Sequence, residues 1–515
     1  QSALSPEVMI TVAAGIFILP FFLFSAVAGQ IADKYDKARL IRIIKAAEIV
    51  LMLGAALGFF WQHTGLLMLI LFLMGTQSAF FGPLKYGILP DQLEENELIG
   101  GNALIDSSTF VAILLGTICG GLLIMAEGGP LIISVIVIAV AALGLFASFS
   151  IPPTQPADAS LKIHYNFLLE THAILRQIRQ HPVIFRSILG ISWFWLFGAS
   201  FLSQFPTFAK EVIGGNEQVV TLFLAIFTIG IAIGALLCNR LLKGEIAATY
   251  VPLAIIGMTL FTVDMYLAST GLAQNNADVL IGAGVFLESL AHWRILMDLL
   301  GISICGGIYI VPLYAMIQDR AEMSHMSRTF AANNILNALF MVISAAAISI
   351  MLAYEFSVVD VFLAIAVING FMAIYISSLL PQALVKSILR WIFQVCYRLD
   401  VKGIEHFQKL DDKTIIVANH LSFLDALLIG AYVPQHVSFA INTHIARRWW
   451  LRPFLFLADT IALDPANPLS TRQLIDRVRK GRRIVIFPEG RLTVTGSLMK
   501  IYEGPALIAD KTAAQ

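Results

Sequence analysis

Apolar runs of about 18 to 25 residues recur along the first 380 positions, and each can cross a bilayer core as a helix. Inside that core only helices and closed barrels satisfy their backbone groups, and runs this long leave the helical solution. Eleven spans read near 8–29, 43–61, 66–86, 102–126, 131–151, 184–206, 217–239, 249–270, 295–317, 330–352 and 358–380. After Pro381 charges return, apolar runs shorten and strands are expected. The chain is 58% hydrophobic and 13% charged, against roughly 25% charged in a soluble domain. Its formal net charge is zero, without the basic excess that is the electrostatic footprint of nucleic-acid binding, and no nucleic-acid partner is expected. Cys119, Cys238, Cys305 and Cys396 are scattered, without metal-ligand or disulfide spacing.

Lys and Arg orient the spans. The connection after the first span holds Lys34, Lys37, Arg39, Arg42 and Lys45. Every second connection afterwards is basic too: Lys85; Lys162 with Arg176 and Arg179; Arg240 with Lys243; Arg320 with Arg328. The alternate connections, Gln62–Gly65 and Glu127–Pro130 among them, are nearly free of positive charge. The basic set is therefore expected on the cytoplasmic side, together with the tail after Pro381. Gln1 then falls outside the cytoplasm directly before a span, with no signal peptide and no initiator Met. The expectation is a chain cut at its N-terminus, with one helix missing and twelve in the complete protein.

An internal repeat divides the spans. Pro83-Leu84-Lys85-Tyr86 is followed by Asn102, and Pro312-Leu313-Tyr314 by Asn333, at an offset of about 230 residues. Two parallel six-helix halves fit that offset. The expected domains are an N-terminal half over 1–151, a cytoplasmic linker over 152–183 with an amphipathic segment at His164–Arg179 along the membrane surface, a C-terminal half over 184–380, and an α/β domain over 381–515.

Gly29-Gln-Ile-Ala-Asp33-Lys34, with Lys37 and Arg39, resembles the loop motif of the major facilitator superfamily. That motif joins the family's second and third helices, which agrees with one helix missing in front. A Gly-started turn there holds a carboxylate at a helix end, where it can pair with a neighbouring helix in one conformer and release it in the other. A basic loop that only sets topology is the plainer reading. Ionisable residues inside spans are costly and are functional candidates by default. Glu48, Lys85, Asp106 and Asp264 lie in or at the edges of spans, and Glu288, Arg294 and Asp298 cluster near the ninth. Asn102 and Asp106, four apart, share a helical face and could line a cavity for a zwitterionic head group. Two readings stand for them, cavity lining and mutual satisfaction between helices. For Glu288 and Arg294 the plainer reading is interfacial water.

In the tail, Thr414-Ile-Ile-Val-Ala418 reads as a buried strand running into Asn419-His420-Leu-Ser422-Phe-Leu-Asp425. Arg483-Ile-Val-Ile-Phe487 reads as a second, ending in Pro488-Glu489-Gly490-Arg491. Both polar clusters sit just past strand ends, where open α/β sheets place their sites. On one regular helix His420 and Asp425 would stand about 140° apart. A strand–turn–helix junction removes that obstacle. A His base held in one tautomer by a carboxylate could then take the proton from a hydroxyl attacking a thioester. Asp425 has a second reading, since Ser422-x-x-Asp425 is also a capping box. Arg447-Arg448-Trp449-Trp450 reads equally as an interfacial anchor or as an ordinary amphipathic face.

His-x4-Asp followed about 65 residues later by Phe-Pro-Glu-Gly-Arg resembles the glycerolipid acyltransferase family, in its bacterial lysophospholipid branch. The resemblance implies that His420 and Asp425 are catalytic and that Glu489, Gly490 and Arg491 bind the acceptor's glycerol phosphate. Phe80 through Leu89 and Gly101-Asn102-Ala103-Leu104 resemble the lysophospholipid-transporting branch of the major facilitator superfamily. As a whole the chain resembles fusions of such a transporter with a 2-acylglycerophosphoethanolamine acyltransferase, usually followed by an acyl-carrier-protein synthetase domain. The implied fold is an all-α polytopic bundle plus a partial α/β acyltransferase domain, expected to be cut short and inactive as it stands. The implied partners are lysophospholipid, membrane lipids and acyl carrier protein. No cofactor is implied, and the acyl donor would be acyl-carrier-protein or acyl-CoA. The implied function is inward movement of lysophospholipid and its re-acylation on the cytoplasmic face. Three rivals stand beside it: a transporter with a non-catalytic tail, a membrane-anchored acyltransferase without transport, and drug efflux joined to an unrelated enzyme.

Overall fold

The computed structural model describes residues 6–124, 126–270, 272, 280–397, 399, 401–403, 407, 413–422, 424–433, 437–443, 448, 459–463, 468–493, 497 and 499–514. The chain divides into two compact units, 1–373 and 374–515.

Among the described residues, eleven helices are long and apolar enough to cross a membrane. They are α1 (Pro6–Lys34), α2 (Lys37–Phe60), α3 (Thr64–Gly87), α4 (Leu98–Ile124) and α5 (Gly129–Ser148). After α6 (Phe167–Arg179) come α7 (Pro182–Thr207), α8 (Glu217–Leu242), α9 (Val251–Thr270), α10 (Leu290–Arg320), α11 (Met326–Ala353) and α12 (Val358–Leu379). Each coincides with one of the spans read from hydropathy, to within a few residues. Large apolar side chains such as Leu122, Leu131, Phe146 and Leu260 stand exposed on the outside. On a water-soluble protein that surface would be an aggregation hazard; against acyl chains it is the expected exterior.

Two seams join the halves. α1 packs on α11, and α4 packs on α8. The seams are tightest at the end that carries the basic loops. The buried positions of α4 stop at Leu114, and those of α11 run almost without break from Met326 to Ala338 and then thin out. Gly29 permits the close approach: a Cβ there would stand 2.8 Å from Ala331 Cβ and 2.9 Å from Arg328 Cα. The segment after α5 tucks under the same end, with Asp158 N–H donating to the Asp33 carbonyl and Gln30 exchanging two hydrogen bonds with the His164 backbone. The amphipathic segment forms α6, which buries Ile174 and Ile178 and packs on α1, α7 and α11.

In the second unit, α13 (Pro381–Tyr397) precedes a four-stranded parallel sheet of order β1-β4-β2-β3, made of β1 (Ile415–Val417), β2 (Val437–Asn442), β3 (Asp459–Leu463) and β4 (Arg483–Ile486). Period-two alternation sends Ile484 and Val485 to opposite faces. Ile484 packs with Leu474 and Val478 of α15 (Pro468–Arg479) and Ile508 of α16 (Gly504–Thr512). Val485 packs with Phe439 and with Ala426 and Ile429 of α14 (Leu424–Tyr432). Helices on both faces bury the parallel sheet.

Candidate functional site

β1 and β4 are neighbours with Val417 opposite Ile486, so their carboxyl ends lie side by side. His420 and Glu489 each stand three residues past those ends. The adjacency brings together two polar clusters that lie far apart in the chain. Glu489 is buried, and its carboxylate accepts the His420 N–H on Oε1 at 3.1 Å and the Met499 N–H on Oε2 at 3.2 Å. Thr493 N–H donates to the His420 carbonyl at 2.8 Å. The histidine backbone is thus held from both sides, and its ring stacks on Phe487 with centroids 4.1 Å apart.

Asp425 is the second residue of α14. Its Oδ2 lies 3.1 Å from His420 Nδ1 and also accepts the N–H groups of Leu421 at 2.7 Å and Ser422 at 2.8 Å. Ser422 Oγ in turn accepts the Leu424 N–H at 3.1 Å. The two readings of Asp425 therefore coincide, because one oxygen caps the helix and faces the imidazole. With Nδ1–H donating to Asp425, Nε2 keeps its lone pair and forms no hydrogen bond among the described residues. Gly490 has φ +64°, a left-handed conformation that glycine takes without strain, and it turns the chain so that Arg491 stands exposed. In the same unit, burial pushes the Tyr432 hydroxyl up from its usual pKa, against the pull of Arg390. Of the Arg-Arg-Trp-Trp segment, Arg447, Trp449 and Trp450 lie outside the described residues, and Arg448 is exposed.

In the first unit, Asp33 is fully buried at the end of α1 and reaches the start of α11. Its carboxylate accepts the N–H groups of Ser327 at 2.8 Å and Arg328 at 3.3 Å, and the Arg328 guanidinium at 2.9 Å. One half of the bundle thereby caps a helix of the other. Lys37 is buried and pairs with Asp91 at 2.6 Å. Asp36 accepts Ala38 N–H as the cap of α2, and both the N–H and hydroxyl of Thr154. Burial acts to raise the Asp36 pKa, but these hydrogen bonds outweigh it and hold the carboxyl below its usual value. Lys34 lies over the Tyr35 ring, and Arg39 is exposed.

Asn102 and Asp106 lie where the halves meet. Asn102 and Gln318 exchange amide hydrogen bonds, and Gln318 also donates to the Tyr86 carbonyl at 2.9 Å. Tyr86 donates its hydroxyl to Asp106 Oδ1 at 2.8 Å and stacks on Tyr314 at 4.2 Å, so the repeated Pro-Leu motifs touch. Asp106 Oδ2 has no partner among the described residues. Lys85 lies over the Tyr86 ring and donates to Thr109. The other two candidates stand elsewhere. Glu48 is held by Lys45 and Gln77 between α2 and α3. Asp264 pairs with Arg294, both half-exposed, near the buried Asp298. Glu288 is exposed.

Gln318, Asp91 and Met499 carry no local sequence signal that marks them as site residues. Arg328 does carry one, beyond its part in topology: a cation in the first turn of a helix opposes the helix dipole and calls for a carboxylate.

Two helical halves that close on each other at one end define a membrane transporter bundle, and the second unit carries a His–Asp pair on a parallel sheet. The chain belongs to the Major Facilitator Superfamily, whose family model matches residues 2–345. An acyltransferase family model matches residues 398–514, so the second unit carries an acyltransferase domain. The lysophospholipid transporter LplT of Enterobacter sp. (strain 638) is 27% identical over 324 residues, 60% of this chain and 70% of that protein. LplT of Escherichia coli O1:K1 / APEC is 26% identical over 325 residues, 60% of this chain and 71% of that one. Among solved structures, the human organic anion transporter MFSD10 (TETRAN) aligns with a TM-score of 0.54 at 15% identity, over 70% of this chain and 82% of its own. The transporter FucP in its outward conformation aligns with a TM-score of 0.54 at 12% identity, over 73% and 90%. These two alignments show the fold.

Proposed function

We propose that the bundle moves lysophospholipid inward across the bacterial inner membrane and that the cytoplasmic acyltransferase domain re-acylates it at the free 1-hydroxyl. The observation that carries the reading is the His420–Asp425 pair, braced by Glu489, in the same chain as a bundle akin to proteins named lysophospholipid transporters. Nε2 of His420 takes the proton of the acceptor hydroxyl as its oxygen attacks the thioester carbonyl. The tetrahedral intermediate collapses, the C–S bond breaks, and the thiolate recovers the proton from the imidazolium. Acyl-carrier-protein or acyl-CoA supplies the thioester, and Arg491 grips the acceptor phosphate. The acceptor class is 2-acylglycerophosphoethanolamine. Tethering both activities raises the local acceptor concentration at the second site.

The test uses the protein in sealed vesicles with the acyltransferase domain inside, labelled lysophosphatidylethanolamine outside and an acyl donor trapped within. Diacyl product that disappears in His420→Ala while label still enters supports both halves. Entry no faster than in protein-free vesicles overturns the transport half.

A further inference from the structure

The helix α13 is inside out for a helix bathed in water. Its two cations turn inward: Arg390, 4% exposed, donates to the Ala431 carbonyl at 2.6 Å, and Lys386 donates to the Val433 carbonyl at 2.6 Å. Those carbonyls close the end of α14, where a helix dipole favours positive charge. Ser387 and Phe393 are buried on the same side. The opposite side carries Ile388, Trp391 (59% exposed), Ile392 and Val395 (65% exposed). Their spacing of i, i+3, i+4 and i+7 makes one apolar stripe. A helix at the surface of a soluble domain turns arginine out and tryptophan in.

The chain itself supplies what covers the stripe. α12, the last span, ends at Leu379 and α13 begins at Pro381, with Leu380 alone between them. A residue spans at most about 3.6 Å, so α13 must start at the bilayer surface. The exposed Phe371, Ile374 and Tyr375 of α12 lead up to that point. We infer that α13 lies in the membrane–water interface, with Ile388, Trp391, Ile392 and Val395 inserted among the lipids, so that the bilayer is the partner of this face. Trp391 suits that depth, where an indole keeps its N–H in the head groups and its ring below them. Because the cations are spent on α14, attachment rests on apolar insertion and not on anionic lipid. α14 carries Asp425 in its first turn, so the helix that grips its other end also sets the height of the His420–Asp425 pair above the lipid.

The test attaches a nitroxide to the thiol of Ile388→Cys or, separately, of Val395→Cys, in the full chain with its native cysteines replaced. The chain is reconstituted in nanodiscs of phosphatidylcholine alone or with phosphatidylglycerol added. At both positions collisions with oxygen should exceed those with a water-soluble nickel chelate several-fold, alike in the two lipid mixtures. A label on Gln382→Cys, on the other arc, should favour nickel. Nickel collisions at the two stripe positions as frequent as on Gln382→Cys overturn the inference. So does an immobilised spectrum shielded from both reagents, which would mean that protein covers the stripe. Two independent label sites cover the loss of either variant, and the readout needs neither transport nor acylation, so its failure is distinct from failure of the proposed function.

Discussion

Glu489 shows how a residue's chemistry depends on what its atoms already hold. Both carboxylate oxygens receive backbone N–H groups, one of them from His420 itself. In Glu489→Gln the amide nitrogen cannot accept, and one buried N–H loses its partner at about 1–3 kcal/mol. Acylation should therefore slow roughly tenfold to a hundredfold in kcat, with the acceptor KM little changed. A rise confined to KM would place Glu489 on the acceptor instead. Arg491 is the complementary case, exposed and projecting from the turn. Arg491→Lys should raise the acceptor KM and leave kcat nearly intact, because a point charge replaces a bidentate fork. Initial rates across acceptor concentrations distinguish the two.

At the scale of elements, the contact between α1 and α11 is a carboxylate from one helix closing the N-terminus of another. Asp33→Asn removes the charge that holds Arg328 and weakens the cap on Ser327. Loss of the buried pair should cost about 3 kcal/mol in the closed arrangement. Labelling of a cysteine introduced at Ser327 by a water-soluble maleimide should accelerate, and unchanged labelling would show that the pair does not hold the seam. The neighbouring Asp36 gives a pH prediction. Its folded pKa lies below the ordinary 3.8, so its contribution is fully present above that value and is lost as pH falls through the folded pKa. The thermal midpoint should drop on acidification below about pH 4, and less so in Asp36→Asn, which no longer titrates.

For the whole molecule, the proposed joining of transport and acylation in one chain predicts a kinetic advantage rather than a new chemistry. Cutting the chain after Leu380, between the last span and α13, and co-reconstituting the two parts should leave lysophospholipid entry unchanged. Diacyl product from outside substrate should form more slowly, and most slowly at low protein density, because the linked local concentration is gone. Equal rates for fused and split forms would mean that acceptor exchanges freely through the bilayer before acylation.

Hydropathy determined the eleven helices, because a backbone in lipid must satisfy itself locally and so writes its length into the sequence. The two strands were also legible to within a residue at each end, Thr414–Ala418 in sequence against Ile415–Val417 and Arg483–Phe487 against Arg483–Ile486, since short β-branched runs bounded by turn residues are local signals. Pairing across distance was not. That β1 lies beside β4, bringing Glu489 to His420, depends on a sheet order that skips two strands in the chain. Gln318 meeting Asn102 and Arg328 meeting Asp33 depend on which faces of four helices turn to the seam. Those choices are made by packing between elements far apart in sequence, and only the tertiary structure decides them.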